Sequence, residues 1–101
     1  PHALPMASEA NDEGKAAFKA GDYARAIEFF SKHLAENGAD ATVLANRSFA
    51  YLKLSQPDAA IADARAAIAA DHSFVKGHYR LASALIALGR GVEAAAAAEA
   101  G

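Results

Sequence analysis

Lys76 and Arg80 are the residues whose types and spacing first suggest chemistry. They stand four apart in the stretch Ser73-Phe-Val-Lys-Gly-His-Tyr-Arg-Leu-Ala-Ser-Ala-Leu85. On a helix, residues four apart lie one above the other on the same face. Two cations stacked in this way repel each other unless an anion lies against them. Alone, the pair reads as a solvated helix face; with further polar groups beside it, it reads as an anion site. Phe74, Tyr79, Leu81, Leu85 and Ile86 are expected to anchor the helix from its other faces.

The elements that must position this pair follow from an internal repeat. Ala26, Ala60 and Ala94 are each 34 residues apart, as are Gly21, Ser55 and Gly89. Ile27 and Ile61 keep the same step, as do Leu34 and Ile68. A period of this length, with two helical patterns in each copy, is the mark of a stacked helical array. In the first copy, Ser8 is a candidate N-cap for a helix reaching about Ala20, with Glu9, Asp12 and Glu13 favourable near its positive end. Gly21-Asp22 breaks it, and a second helix runs from Tyr23 to about Glu36. Its stripe is Ala26, Ile27, Phe30 and Leu34, and Asn37-Gly38 ends it. In the second copy, Ala41-Thr42 opens a helix to about Leu54, with Leu44, Ala45, Ser48, Tyr51 and Leu52 on its apolar stripe. Ser55-Gln56-Pro57-Asp58 is the turn, with proline tolerated at the start of the next helix. That helix spans Ala59 to Ala70, and Asp71-His72-Ser73 links onward. The third copy is expected to run from Phe74-Val75 to Leu88, turn at Gly89-Arg90-Gly91, and end in a short helix from Val92 to Glu99. This last segment is nearly all alanine, so it has high helicity but little to bury; it is expected to fray.

Composition narrows the function classes. The chain has 101 residues and a hydrophobic fraction of 53%, much of it alanine, so its core must consist of many thin contacts between close helices. There is no cysteine, which excludes disulfides and thiolate metal sites. A net charge of -2 argues against general nucleic-acid binding. No apolar run approaches the length of a membrane span. The four histidines show no ligand spacing. No nucleophile–base signature, phosphate loop or metal motif is present, so no catalysis, metal or cofactor is expected. Pro1-His-Ala-Leu-Pro-Met6 looks unlike the rest and is expected to be a cloning remnant.

The repeat resembles the tetratricopeptide repeat family over about residues 7–101. That family places a small residue at the eighth position, matched by Gly14, Ser48 and Ala82. It places Gly-polar-aromatic at the turn, matched by Gly21-Asp22-Tyr23, and alanine at the twentieth position, matched by Ala26, Ala60 and Ala94. His33 departs from the usual small residue, and Gly38 and His72 stand where linker prolines are usual. The resemblance implies an all-α, right-handed superhelical solenoid of three helix-turn-helix repeats at about 7–40, 41–74 and 75–101, the last helix short and uncapped. The first helix of each pair would line a concave groove.

Within the family, Ala45-Asn-Arg-Ser48 and Val75-Lys-Gly-His-Tyr-Arg80 resemble the co-chaperone repeats that hold the C-terminal tail of the 70- or 90-kDa heat-shock chaperones. In those repeats a carboxylate clamp grips the last aspartate of a Glu-Glu-Val-Asp tail, whose two carboxylates accept from lysine, arginine and asparagine. The resemblance implies Asn46, Lys76 and Arg80 as clamp residues. It also implies lysine at position five and asparagine at position nine of repeat one, where this chain has Asn11 and Lys15, the same two types exchanged. Phe18 and Phe49 would form an apolar floor for the peptide, or else belong to the core. Asn46 could instead bond backbone between helices. The implied protein is a cytoplasmic, monomeric, non-enzymatic interaction module without cofactor. The alternatives are a scaffold that self-associates through its uncapped last helix and a targeting domain of a larger enzyme.

Overall fold

The computed structural model describes the backbone of residues 4–100 and the side chains of residues 9–90. Among these, five helices follow one another: α1 (Leu4–Lys19), α2 (Tyr23–Asn37), α3 (Ala41–Lys53), α4 (Pro57–Ala70) and α5 (Val75–Ala100). α1 pairs with α2 and α3 with α4, while α5 packs on α4 and α3, and α2 on α3. The α1, α3 and α5 helices therefore stand as successive first helices of the array.

α1 begins at Leu4, ahead of the N-cap expected at Ser8. Pro5 then falls in the first turn, where its missing N–H has no helical partner to lose. Part of the stretch read as a remnant thus belongs to the helix, and its first three residues lie outside the described residues.

The two helix-pair turns are copies of each other. The Gly21 amide donates to the Phe18 carbonyl and the Asp22 amide to that of Ala17, at 3.1 and 2.9 Å. In repeat two the Ser55 amide donates to Leu52 and the Gln56 amide to Tyr51, at 3.0 and 2.9 Å. Both close the last carbonyls of a helix through a left-handed residue. Gly21 has φ +81°, and Ser55 takes the same region at φ +59° despite its side chain.

The helix pairs close tightly because their facing residues are small. A Cβ on Gly14 would lie 2.6 Å from two carbons of the Phe30 ring, so only glycine fits beneath that ring. Ser48, its counterpart, is fully buried and donates from Oγ to the Ala60 carbonyl at 2.8 Å. Ala26, Ala45, Ala50, Ala60, Ala64, Ala67 and Ala84 are all fully enclosed. Phe30, in the cluster with Ala17, Ala26 and Val43, is the largest enclosed side chain, and its burial contributes roughly 1.5–3 kcal/mol.

Polar side chains join the repeats. The Gly38 amide, at φ +82°, closes on the Leu34 carbonyl and ends α2. Asp40 then caps α3 by accepting from the Val43 amide. Its other oxygen lies 3.1 Å from Nε2 of the buried His33, while Asn37 Nδ2 donates to the His33 carbonyl at 2.9 Å. His33 is accommodated in place of a small residue because the linker supplies it with polar partners.

The third repeat departs from expectation. α5 runs unbroken for 26 residues through Gly89-Arg90-Gly91, and Gly89 lacks the positive φ of Gly21 and Ser55. Glycine permits a left-handed turn but does not require one. In repeat one a buried Phe30 holds the returning helix against Gly14; the segment after Gly91 is almost all alanine and has little area to offer. Each residue of continued helix gains a hydrogen bond, so propagation wins. Whether that segment frays lies outside the described residues. The consequence for α5 is visible at its surface. Phe74 and Leu81 are half-buried as expected, but Tyr79, Leu85 and Ile86 are not anchors: they are 63%, 43% and 54% exposed. They and the exposed Ala82 lie where no returning helix of repeat three packs.

Candidate functional site

Each of the three first helices carries one stripe of the residues read as a site. On α1 the stripe is Asn11, Lys15 and Phe18, spaced by four and three. On α3 it is Asn46, Phe49 and Lys53, spaced by three and four. On α5 it is Lys76 and Arg80. Side chains at these spacings stack on one helix face.

The stripes meet at Phe49. The Phe18 ring is 5.4 Å from it, centroid to centroid, and the Arg80 guanidinium carbon is 4.4 Å above it. This joins α1, α3 and α5 through one aromatic ring. Tyr23 packs edge-on against both Phe18 and Phe49, at 5.7 and 6.2 Å, and Phe30 tilts against Phe18 at 6.2 Å from below. Phe18 is thus continuous with the core, and both Phe18 and Phe49 are half-buried. Of the two readings open for them, the core reading thus holds in part for Phe18.

Arg80 is set in this layer with its donors unspent. Its Nε is buried and has no hydrogen-bond partner among the described residues. Burial pushes its pKa below the usual guanidinium value, and Tyr79 opposes this only in part. A guanidinium remains protonated even so. A half-buried cation without a carboxylate is costly to hold, and an entering anion would relieve that cost. Asn11 carries a second orphan, an Oδ1 atom that is buried and unbonded. Asn46 is half-buried, and Lys15 and Lys76 are exposed. These three are assigned to the face by register alone.

Two neighbours were not anticipated. Lys53 Nζ lies 5.2 Å from the Phe49 centroid, so the ring carries two cations. Lys53 stands 34 residues after Lys19 and four after Phe49, a repetition that could have drawn attention to it. Arg47 follows Asn46 but points the other way. It donates from Nε and Nη2 to both Asp63 oxygens at 2.7 Å, and from Nη1 to Ser31 Oγ at 2.9 Å. Its pKa is raised chiefly by the Asp63 hydrogen bonds, against the opposing effect of burial. This fork ties α3 to α4 and α2 and so holds the rotation of α3 that sets Phe49 against Phe18 and Arg80.

No protein-family model matches the chain. Solved structures do. The second tetratricopeptide domain of Spaghetti (RPAP3), bound to the HSP90 peptide SRMEEVD, superposes with a TM-score of 0.79 at 39% identity, covering 83% of this chain and 78% of that one. This chain belongs to the tetratricopeptide repeat family. The second such domain of human RPAP3, in complex with the HSP70 peptide SGPTIEEVD, superposes with a TM-score of 0.78 at 40% identity, covering 87% and 73%. Among curated proteins, human serine/threonine-protein phosphatase 5 is 40% identical over 88 residues, and the Hsp70-Hsp90 organizing protein of wheat 38% over 96 residues. These matches cover 87% and 95% of this chain but only 18% and 16% of those proteins. The tetratricopeptide chain therefore spans less than a fifth of the length of these two curated relatives. Among its described residues, no helix is long and apolar enough to cross a membrane.

Proposed function

We propose that this tetratricopeptide domain is a protein-interaction module that binds an acidic C-terminal Glu-Glu-Val-Asp tail of a 70- or 90-kDa heat-shock chaperone. The observation that carries the reading is Arg80: a half-buried guanidinium seated on Phe49, its Nε without a partner, on the face where α1, α3 and α5 meet. The terminal aspartate would place its two carboxylates against Arg80, Lys76, Asn46 and Lys15, with Asn11 at the margin. Phe18 and Phe49 would support the apolar residue before it. The peptides held by the two RPAP3 domains both end in Glu-Glu-Val-Asp, which supports the assignment of ligand class. The module itself is read as non-catalytic and cytoplasmic, a binding part carried by a co-chaperone or by a larger enzyme such as a phosphatase.

Calorimetric titration of a Glu-Glu-Val-Asp peptide tests this. The free-acid peptide should bind, and the C-terminally amidated form should bind at least tenfold more weakly, because a charge-assisted hydrogen bond contributes about 1.5–3 kcal/mol. Arg80→Ala should weaken binding by a similar factor, whereas Lys32→Ala on α2 should leave it unchanged. Equal affinity for both peptides would sink the clamp.

A further inference from the structure

Tyr79 is a large aromatic side chain that the fold does not bury. It is 63% exposed on α5, whereas its counterpart one repeat earlier, Ala45, is fully enclosed. Its neighbour in sequence is Arg80, the cation seated on Phe49. Consecutive residues on a helix point roughly 100° apart and do not face each other. Even so, the Arg80 guanidinium carbon lies 5.5 Å from the centre of the Tyr79 ring, within reach of a cation–π contact. Arg80 therefore rests on two rings, Phe49 at 4.4 Å and Tyr79 at 5.5 Å.

The two rings are not equivalent. Phe49 is half-buried and packs with Phe18 and Tyr23, so the fold itself fixes it. It also carries Lys53, so its ring is shared between two like charges. Among the described residues, Arg80 is the only cation over Tyr79. Burial lowers the Arg80 pKa, and Tyr79 acts against it. An arginine side chain has many rotamers to lose when it grips a ligand. Among the described residues no carboxylate pairs with Arg80 to hold it, and its buried Nε is unbonded. Ring faces are what remains to orient it. A ring attracts the charge as a whole, so the donors stay available to an anion.

We propose that Tyr79 is a positioning residue of the anion site: its ring, with that of Phe49, holds the Arg80 guanidinium in place before the acidic tail arrives. The inference rests on the tail-binding reading above and adds a residue that acts on the ligand only through Arg80. Holding the cation in advance lowers the ordering cost of binding. Because Tyr79 is mostly exposed, losing its ring opens no cavity and should leave the fold intact.

Two measurements test this, one without peptide and one with it. In the free chain, ring currents should shift the Arg80 Nε–H proton resonance upfield of that of an unstacked arginine. Tyr79→Leu should move it back, and Tyr79→Phe should not. In calorimetric titration with the free-acid Glu-Glu-Val-Asp peptide, Tyr79→Leu should bind roughly two- to fivefold more weakly, the fold-change of an exposed cation–π contact. Tyr79→Phe keeps a ring and should restore most of that affinity. In an Arg80→Ala background, Tyr79→Leu should cost nothing further. Circular dichroism should show the same helicity throughout. Full affinity in Tyr79→Leu would overturn the inference. So would an equal loss with and without Arg80, which would mean that Tyr79 touches the peptide itself, or a Tyr79→Phe variant as weak as Tyr79→Leu, which would assign the effect to the hydroxyl. Should free-acid and amidated peptides bind alike, the tail reading fails and the free-chain resonance alone decides: an Nε–H that ignores Tyr79→Leu means that the ring does not hold Arg80.

Discussion

At the scale of single residues, two groups of the candidate site lack partners among the described residues. Arg80 Nε and Asn11 Oδ1 are both buried and unbonded, but their signs differ. Arg80 offers donors to an anion, whereas the Asn11 oxygen offers an acceptor, which repels one. The related clamps are expected to carry lysine where Asn11 stands and asparagine where Lys15 stands. Lys15 is exposed and one turn further along α1. The exchange therefore retains the charge but displaces it by about 6 Å along the helix. Restoring the usual order with Asn11→Lys and Lys15→Asn should tighten Glu-Glu-Val-Asp binding by roughly tenfold, about 1.4 kcal/mol, the lower end for a hydrogen bond to a charged group. Titration of both single variants and the double variant separates the two positions. If Asn11→Lys alone weakens binding, Asn11 contributes through its amide and the exchange is already adapted to the ligand. Ser55 gives a second prediction at this scale. It holds φ +59° with a side chain where its counterpart is Gly21, at an expected cost of about 1–2 kcal/mol. Ser55→Gly should stabilise the fold by roughly 1 kcal/mol net of glycine's greater chain entropy, measured as a higher urea midpoint at constant slope.

At the scale of elements, the placement of the site depends on how α3 is rotated. The Arg47–Asp63 fork is nearly enclosed, with 20% of the Arg47 side chain and 8% of the Asp63 side chain exposed. Asp63→Ala leaves a cation without its partner and should destabilise the fold by about 3 kcal/mol. Replacing both, as Arg47→Met with Asp63→Leu, should recover most of that loss in urea unfolding, since apolar packing can substitute for a buried ion pair. If Asp63→Ala costs nothing measurable, the fork does not hold α3. This tie also shows where the sequence was legible. The 34-residue step placed the helix pairs, because glycine, proline and small residues mark turns and close approaches by their own chemistry. The proposed clamp positions came from the family resemblance laid on the same register. Arg47 with Asp63 did not, since a bond between residues 16 apart depends on side-chain geometry across two helices. Lys53 was overlooked for a related reason: its nearness to Phe49 follows from a rotamer, which no spacing reports. The turn at Gly89-Arg90-Gly91 was misread because a turn residue is permissive. Only the large side chains of the returning helix make it turn, and after Gly91 there are none.

At the scale of the whole molecule, the chain is a one-dimensional stack in which each helix meets mainly its neighbours. α3 and α4 are packed on both sides and contain most of the fully enclosed alanines. α5 has one uncovered side. Amide hydrogen exchange should therefore be slowest in α3 and α4 and faster in α5, since local opening follows local packing. A ligand that contacts α1, α3 and α5 at once would link α1 to α5, which already join through Phe49 of α3. Peptide at 100 times its Kd should add about 2.7 kcal/mol to the stability of the bound fold. The gain in protection should appear in residues 75–88 as well as in α1, although these helices are not neighbours. Salt provides the control. The net charge is -2, yet Lys15, Lys53, Lys76 and Arg80 lie on the stripes proposed to hold the peptide, so the proposed attraction would come from a local basic field within an acidic chain. Raising ionic strength from 0.1 to 1 M shortens the screening length from about 10 to about 3 Å. Peptide affinity should fall and the added protection in α5 should fall with it, while protection of α3 and α4 without peptide stays largely unchanged. Protection confined to a single helix would mean that the peptide does not bridge the three stripes.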